Sequence, residues 1–146
     1  QELLSIYETC CLENTELFEG VEDVLNELNI KKVKWGIITN KPRKFAEGIV
    51  RDKLAKFKTP FLICPDDVGQ RKPEPDGLVH SLKISNSNPS NSIYIGDHKI
   101  DITAGKRANM ITGAAAYGYI PIGDDVESWN SDYIFSEANE IITLIK

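Results

Sequence analysis

Apolar residues recur along this chain with two different periods, and the switching between them lays out its elements. Leu3, Leu4, Tyr7, Cys11 and Leu12 fall at helical spacing, which predicts a helix over residues 2–14. In GVEDVLNELN, residues Val21, Val24, Leu25 and Leu28 form one stripe, the pattern of a second amphipathic helix. KVKWGIIT then alternates at Val33, Trp35 and Ile37 and adds Ile38, predicting a buried strand over residues 33–39. Pro42 suits the first turn of a helix that Phe45, Ile49 and Leu54 continue. FLIC, at 61–64, reads as a short strand, and KPEPDGLVHSLK restarts a helix around Pro75 with Leu78, Val79 and Leu82 inward. The polar turn NSNPSNS leads into the strand SIYIG.

The alternation continues to the end of the chain. A helix from Ile100 to Ala108 is expected to stop near Asn109, which tolerates the left-handed conformation of a helix end. MITGAAA and DYIF follow as strands, and a closing helix has Ser136 as N-cap with Ile141, Ile142 and Ile145 inward. Strands and helices alternating through short connections imply right-handed crossovers. The expected fold is therefore α/β, with a Rossmann-like, mostly parallel sheet and helices on both faces. Ligands of such sheets bind outside the carboxyl ends of the strands. Polar residues collect there: Thr39 and Asn40 after one strand, Asp97 after another, and Lys72 ahead of the helix between them.

Composition narrows the picture. A chain of 146 residues suits one domain with a sizeable core. A formal charge of −5 argues against a nucleic-acid partner held by a basic surface. No apolar run approaches the roughly 20 residues needed to span a bilayer, so no membrane role is expected. The first residues are acidic and amphipathic where a signal peptide would be basic. Cys10, Cys11 and Cys64 lack both the pairing of a disulfide framework and the spacing of a zinc site, which points to a reducing cytoplasm.

Each polar residue at the strand ends has a plain explanation. Thr39 and Asn40 can be turn formers, Lys72 a solvated surface charge, and Asp97 and Asp101 the acids that favour a helix N-terminus. As a group they supply more. A hydroxyl, a fixed cation and two carboxylates at one sheet edge are the parts that hold a phosphoryl group together with Mg²⁺. Mg²⁺ prefers an octahedron of carboxylate, water and phosphate oxygens, so one or two protein acids suffice.

The segments IITNKP, RKPEPD and GDHKID resemble, in order, motifs II, III and IV of the haloacid dehalogenase-like hydrolases. LFEGV, TNKP, RKPEPD and the YGY of residues 117–119 are most similar to the phosphoglycolate phosphatases of that family. The resemblance implies that Thr39 binds the transferring phosphoryl group with Asn40 in support, and that Lys72 bridges phosphate and nucleophile. It implies that Asp97 ligates Mg²⁺ and that Asp101 holds the metal's waters or orients Lys72. His98 occupies a variable position of its motif and reads as a surface residue.

In the family the nucleophile is the first aspartate of a D-x-D-G-T loop, which forms an aspartyl-phosphate. Residues 1–146 contain no such loop. The acids ahead of the first core helix, Glu2, Glu8, Glu13, Glu16 and Glu19, follow no strand-like run. The expectation is an N-terminally truncated chain: residues 1–15 as the remnant of a helical cap, residues 16–146 as the core, and the central first strand missing. The strands over 33–39 and 92–96 would then close on each other or be filled by another chain, as in a strand-swapped homodimer. Two functions stand open. One is a Mg²⁺-dependent phosphatase of small phosphorylated metabolites, inactive as this chain alone. The other is a non-catalytic phosphate- or Mg²⁺-binding module, or a pseudoenzyme acting through a partner.

Overall fold

The computed structural model describes residues 15–146, so the helix expected over residues 2–14 lies outside the described residues. Helix α1 spans Val21–Ile30 and starts after Gly20, whose φ of 83° is left-handed and whose Cα faces Asn139 too closely for a Cβ. Glu22 and Asp23 in its first turn suit the positive end of the helix dipole, and Val24 and Leu25 are its buried face. Strand β1 is Ile37–Ile38, α2 is Arg43–Lys53 and β2 is Leu62–Ile63. Helix α3 covers Asp76–Ser85, β3 Ile93–Gly96, α4 Lys99–Arg107, β4 Ile111–Ala115 and β5 Tyr133–Phe135. No helix among the described residues is long and apolar enough to cross a membrane.

Every strand pair is parallel, and the order is β1–β2 in one sheet and β3–β4–β5 in another. Both faces of β1 are covered, as its two residues show. Successive strand residues point to opposite faces. Ile37 packs against Leu25, Leu54 and Phe57, whereas Ile38 packs against Leu78, Ala104 and Ala108. A third cluster, of Ile102, Ala114 and Trp129, closes the far side of α4.

Several expectations need correction. The strand expected over 33–39 is ordered as strand only at Ile37–Ile38, where β2 supplies its single neighbour. Val79 is not inward: it is 52% exposed, while Ser81, at 5%, takes the buried position and satisfies its hydroxyl on the Leu78 carbonyl. Gly77 explains the rotation, because a Cβ there would meet Ile38 at 3.0 Å and α3 sits close down on β1. The closing helix is a 3₁₀ segment, Ala138–Leu144, capped at Glu137 and not at Ser136. Of the two outcomes expected for the first strand and SIYIG, direct closure does not occur, since β1 and β3 belong to separate sheets. Side chains span the distance instead: the Tyr94 hydroxyl on β3 donates to the Ile38 carbonyl on β1 at 3.3 Å.

Candidate functional site

The carboxyl ends of β1 and β3 bring the site together. Thr39 leaves β1 with its N–H bonded to the Ile63 carbonyl, and its Oγ1 accepts from Lys41 N–H at 3.0 Å. That bond makes a turn, so Thr39 does serve the plain structural role. Asn40 works on the backbone of a distant loop. Its Nδ2 donates to the Lys72 carbonyl and its Oδ1 accepts from the Lys72 N–H, both at 3.0 Å. This two-way clamp delivers Lys72 to the end of β1.

The Lys72 side chain turns inward. Its Nζ lies 2.7 Å from Asp101 Oδ1, 2.7 Å from the Tyr94 hydroxyl and 3.5 Å from the Ile38 carbonyl. The pair is secluded, with side-chain exposures of 10% for Lys72 and 7% for Asp101. The surface-charge reading of Lys72 therefore fails. Asp101 uses its second oxygen, Oδ2, to accept the His98 N–H at 3.1 Å, so it caps α4 and pairs with Lys72 at once. A Cβ at position 96 would lie 2.3 Å from Asp101 Cβ, which is why the strand has to end in glycine.

Asp97 sits one residue beyond that glycine. Its Oδ2 accepts the Tyr119 N–H at 2.9 Å, and its Oδ1 lies 2.8 Å from His98 Nδ1. Gly118 permits the approach of the 117–119 loop, because a Cβ there would be 2.4 Å from Asp97 Cβ. Burial, and then the Asp97 charge, push the Tyr117 hydroxyl above its ordinary pKa. Burial, followed by the Asp101 charge, raises Tyr94 well above the ordinary phenol value, so it stays neutral.

Asp97, His98 and Asp101 offer ligand atoms within 4.8 Å of one another. The donor set fits a hard divalent cation through Asp97. Both Asp101 oxygens are engaged, by Lys72 and by a backbone N–H, whereas Asp97 Oδ1 faces a half-exposed imidazole.

All five residues singled out from sequence thus lie at this end of the fold. Asn40, Lys72 and Asp101 are linked through the bonds just described, Asp97 joins through His98, and Thr39 precedes Asn40 in the chain. The sequence reading missed three participants. His98 is exposed, as its surface reading expected, but also touches Asp97, and its place beside that aspartate in GDHKID was the available signal. Tyr94 gave no signal, since it looks like an ordinary strand aromatic, and the Tyr119 N–H is a backbone group of the YGY segment, which pointed to the family but not to this contact.

The family profile of haloacid dehalogenase-like hydrolases matches residues 1–115. An N-acetylmuramic acid 6-phosphate phosphatase of Pseudomonas putida is 34% identical over 144 residues, which is 99% of this chain and 65% of that protein. A phosphoglycolate phosphatase of Xanthomonas campestris is 32% identical over 96% of this chain and 63% of its own length. The chain therefore spans somewhat less than two thirds of these curated relatives. Among solved structures, a proposed phosphoglycolate phosphatase of Lactobacillus plantarum superposes with a TM-score of 0.84 at 25% identity, over 98% of this chain and 69% of that one. A haloacid dehalogenase-like protein of Agrobacterium tumefaciens shares the fold, with a TM-score of 0.81 at 17% identity over 99% of this chain and 65% of that one.

Proposed function

The chain belongs to the haloacid dehalogenase-like hydrolases, and from that premise we propose that it carries the phosphoryl- and Mg²⁺-binding part of a phosphatase of small phosphorylated metabolites. The observation that carries the reading is the secluded Lys72 ammonium, held at the strand ends by Asn40 on its backbone and Asp101 on its side chain. A cation fixed in place before the ligand arrives stabilises phosphoryl charge without reorganising. Thr39 O–H would donate to a phosphoryl oxygen, Lys72 would neutralise the group, and Asp97 would hold Mg²⁺. Asp101 would orient Lys72 or hold the waters of the bound metal. When bound, Mg²⁺ supplies charge neutralisation at the phosphoryl oxygens.

The relatives narrow the substrate. N-acetylmuramic acid 6-phosphate and phosphoglycolate, after which they are named, are both phosphate monoesters that also carry a carboxylate. We extend that substrate class to the whole protein, with an aspartyl-phosphate as its covalent intermediate. Residues 1–146 hold no D-x-D-G-T nucleophile loop. This favours, for this stretch by itself, the second reading: binding of phosphate and Mg²⁺ without turnover.

Calorimetry on the polypeptide of residues 1–146 tests the proposal. Inorganic phosphate is expected to bind more tightly with Mg²⁺ present, and Asp97→Asn to remove that enhancement. Hydrolysis of phosphoglycolate is expected to be below detection, since losing a nucleophile costs on the order of a millionfold in a serine protease. Absence of any phosphate or Mg²⁺ binding would sink the site. Robust Mg²⁺-dependent turnover, lost in Asp97→Asn, would place a nucleophile within these residues.

A further inference from the structure

Lys72 carries three ammonium protons, and three acceptors face it: Asp101 Oδ1, the Tyr94 hydroxyl and the Ile38 carbonyl. Asp101 neutralises the charge. Tyr94 has no such task, and none of the motifs that pointed to function includes it. Its hydroxyl is 3.3 Å from the Ile38 carbonyl and 2.7 Å from Lys72 Nζ. A phenol has one proton to give. Directed at the Ile38 carbonyl, it leaves the oxygen's lone pairs turned to the ammonium. The ring packs among Leu78, Ala104 and Ala108, which fixes where that oxygen can be.

We propose that Tyr94 is a positioning residue for Lys72, its hydroxyl reaching from β3 to β1 to hold the ammonium at the end of the two strands. A lysine head on a four-carbon stem, held by a single carboxylate, can swing about that contact. A second acceptor from another direction removes the swing. A neutral acceptor suits the task better than a second carboxylate, which would leave the site negative and repel an anion. The consequence for phosphate rests on the function proposed above, but the positioning itself does not.

The test uses the polypeptide of residues 1–146 and two variants. Tyr94→Phe removes only the hydroxyl. Met110→Ala thins the same apolar cluster without touching the Lys72 contacts. Hydrogen exchange at the Lys72 ammonium, read by nitrogen-15 NMR, is expected to speed up about tenfold in Tyr94→Phe, the scale set by losing one hydrogen bond to a charged group. Inorganic phosphate should bind about tenfold more weakly in the same variant. Met110→Ala should lower the melting temperature yet leave both readouts at wild-type values. Exchange at Lys72 unchanged by Tyr94→Phe, or speeded equally by Met110→Ala, overturns the proposal. Faster exchange in Tyr94→Phe, in a protein that binds no phosphate at all, would uphold the positioning role and overturn the phosphoryl reading instead.

Discussion

The two sheets are built to different standards. In β3–β4–β5, four register pairs join the first two strands and three join the last two, around residues such as Thr112 and Ala114 that are wholly buried. Asp132 adds a clamp, accepting from both the N–H and the hydroxyl of Thr112. In β1–β2, two register pairs are all there is, and charged side chains take over the holding. Arg43 binds Asp67 and the Leu62 carbonyl, while Asp67 also accepts the Cys64 N–H. The candidate site lies across the boundary. Thr39, Asn40 and Lys72 come from the weakly paired side, and Asp97, Asp101 and Tyr94 from the strongly paired one. A well-paired strand places its side chains through the backbone ladder, whereas a poorly paired one needs side-chain bonds to do so.

The largest effect should come from cutting the bond between the halves. Lys72→Met leaves the Asp101 carboxylate buried without its cation, and breaking such a pair costs about 3–5 kcal/mol. Urea denaturation of Lys72→Met, Asp101→Leu and the double variant checks this. The double variant should be more stable than the sum of the single losses predicts, and strict additivity would show the pair does not couple the halves.

Leu78, fully buried between Ile38 of one half and Ala104 of the other, is the apolar counterpart of that bond. Leu78→Ala is expected to cost about 2–5 kcal/mol, with hydrogen-exchange protection falling first in β1–β2. Equal loss of protection in both sheets would remove the distinction drawn between them.

Acid should separate the halves more gently. Asp67 lies below its ordinary pKa because of its hydrogen bond to Arg43, and Asp132 because of the hydrogen bonds from Thr112. For a carboxylate lowered in the folded state, the unfolded chain takes up the proton first. The stabilisation is therefore complete above the ordinary value of about 4 and is lost as pH falls through the lowered one. Asp67→Asn and Asp132→Asn should each flatten the loss of stability below about pH 4. High salt should shrink the Asp67 contribution, whose main partner is the Arg43 guanidinium, more than that of Asp132, held mainly by the neutral Thr112 and only secondarily by the Lys106 charge. The reverse salt response in acid titrations would refute the assignment.

The smallest effect is expected at the exposed Lys56–Glu22 pair, which ties α1 to the segment after α2. Glu22→Gln should change stability by about 1 kcal/mol or less in thermal melts, because solvent screens the pair.

Element types were legible where one face of an element is buried. The stripe of Val24 and Leu25 marked α1, and SIYIG and MITGAAA marked β3 and β4, since a fixed period places apolar residues on one side regardless of what covers them. Strand lengths were not legible in the same way. Residues 33–36 look like strand by composition, yet a strand exists only where a neighbouring ladder accepts its hydrogen bonds, and β2 reaches only Ile37 and Ile38. Val79 was misplaced because it and Ser81 both lie near the edge of the α3 stripe. The close approach at Gly77 decided which of them turned inward.

By itself, then, the sequence determined the alternation of helices with parallel strands, and it placed Thr39, Asn40, Lys72, Asp97 and Asp101 in the segments that follow strands. Local periodicity and turn chemistry suffice for that, because they act over a few residues. Only the tertiary structure decided that Lys72 is secluded, that Asp101 reaches it, and that Tyr94 joins them. Those are contacts between residues up to 56 positions apart in the chain. They depend on how α3 and α4 seat the two sheets against each other, which no local pattern encodes.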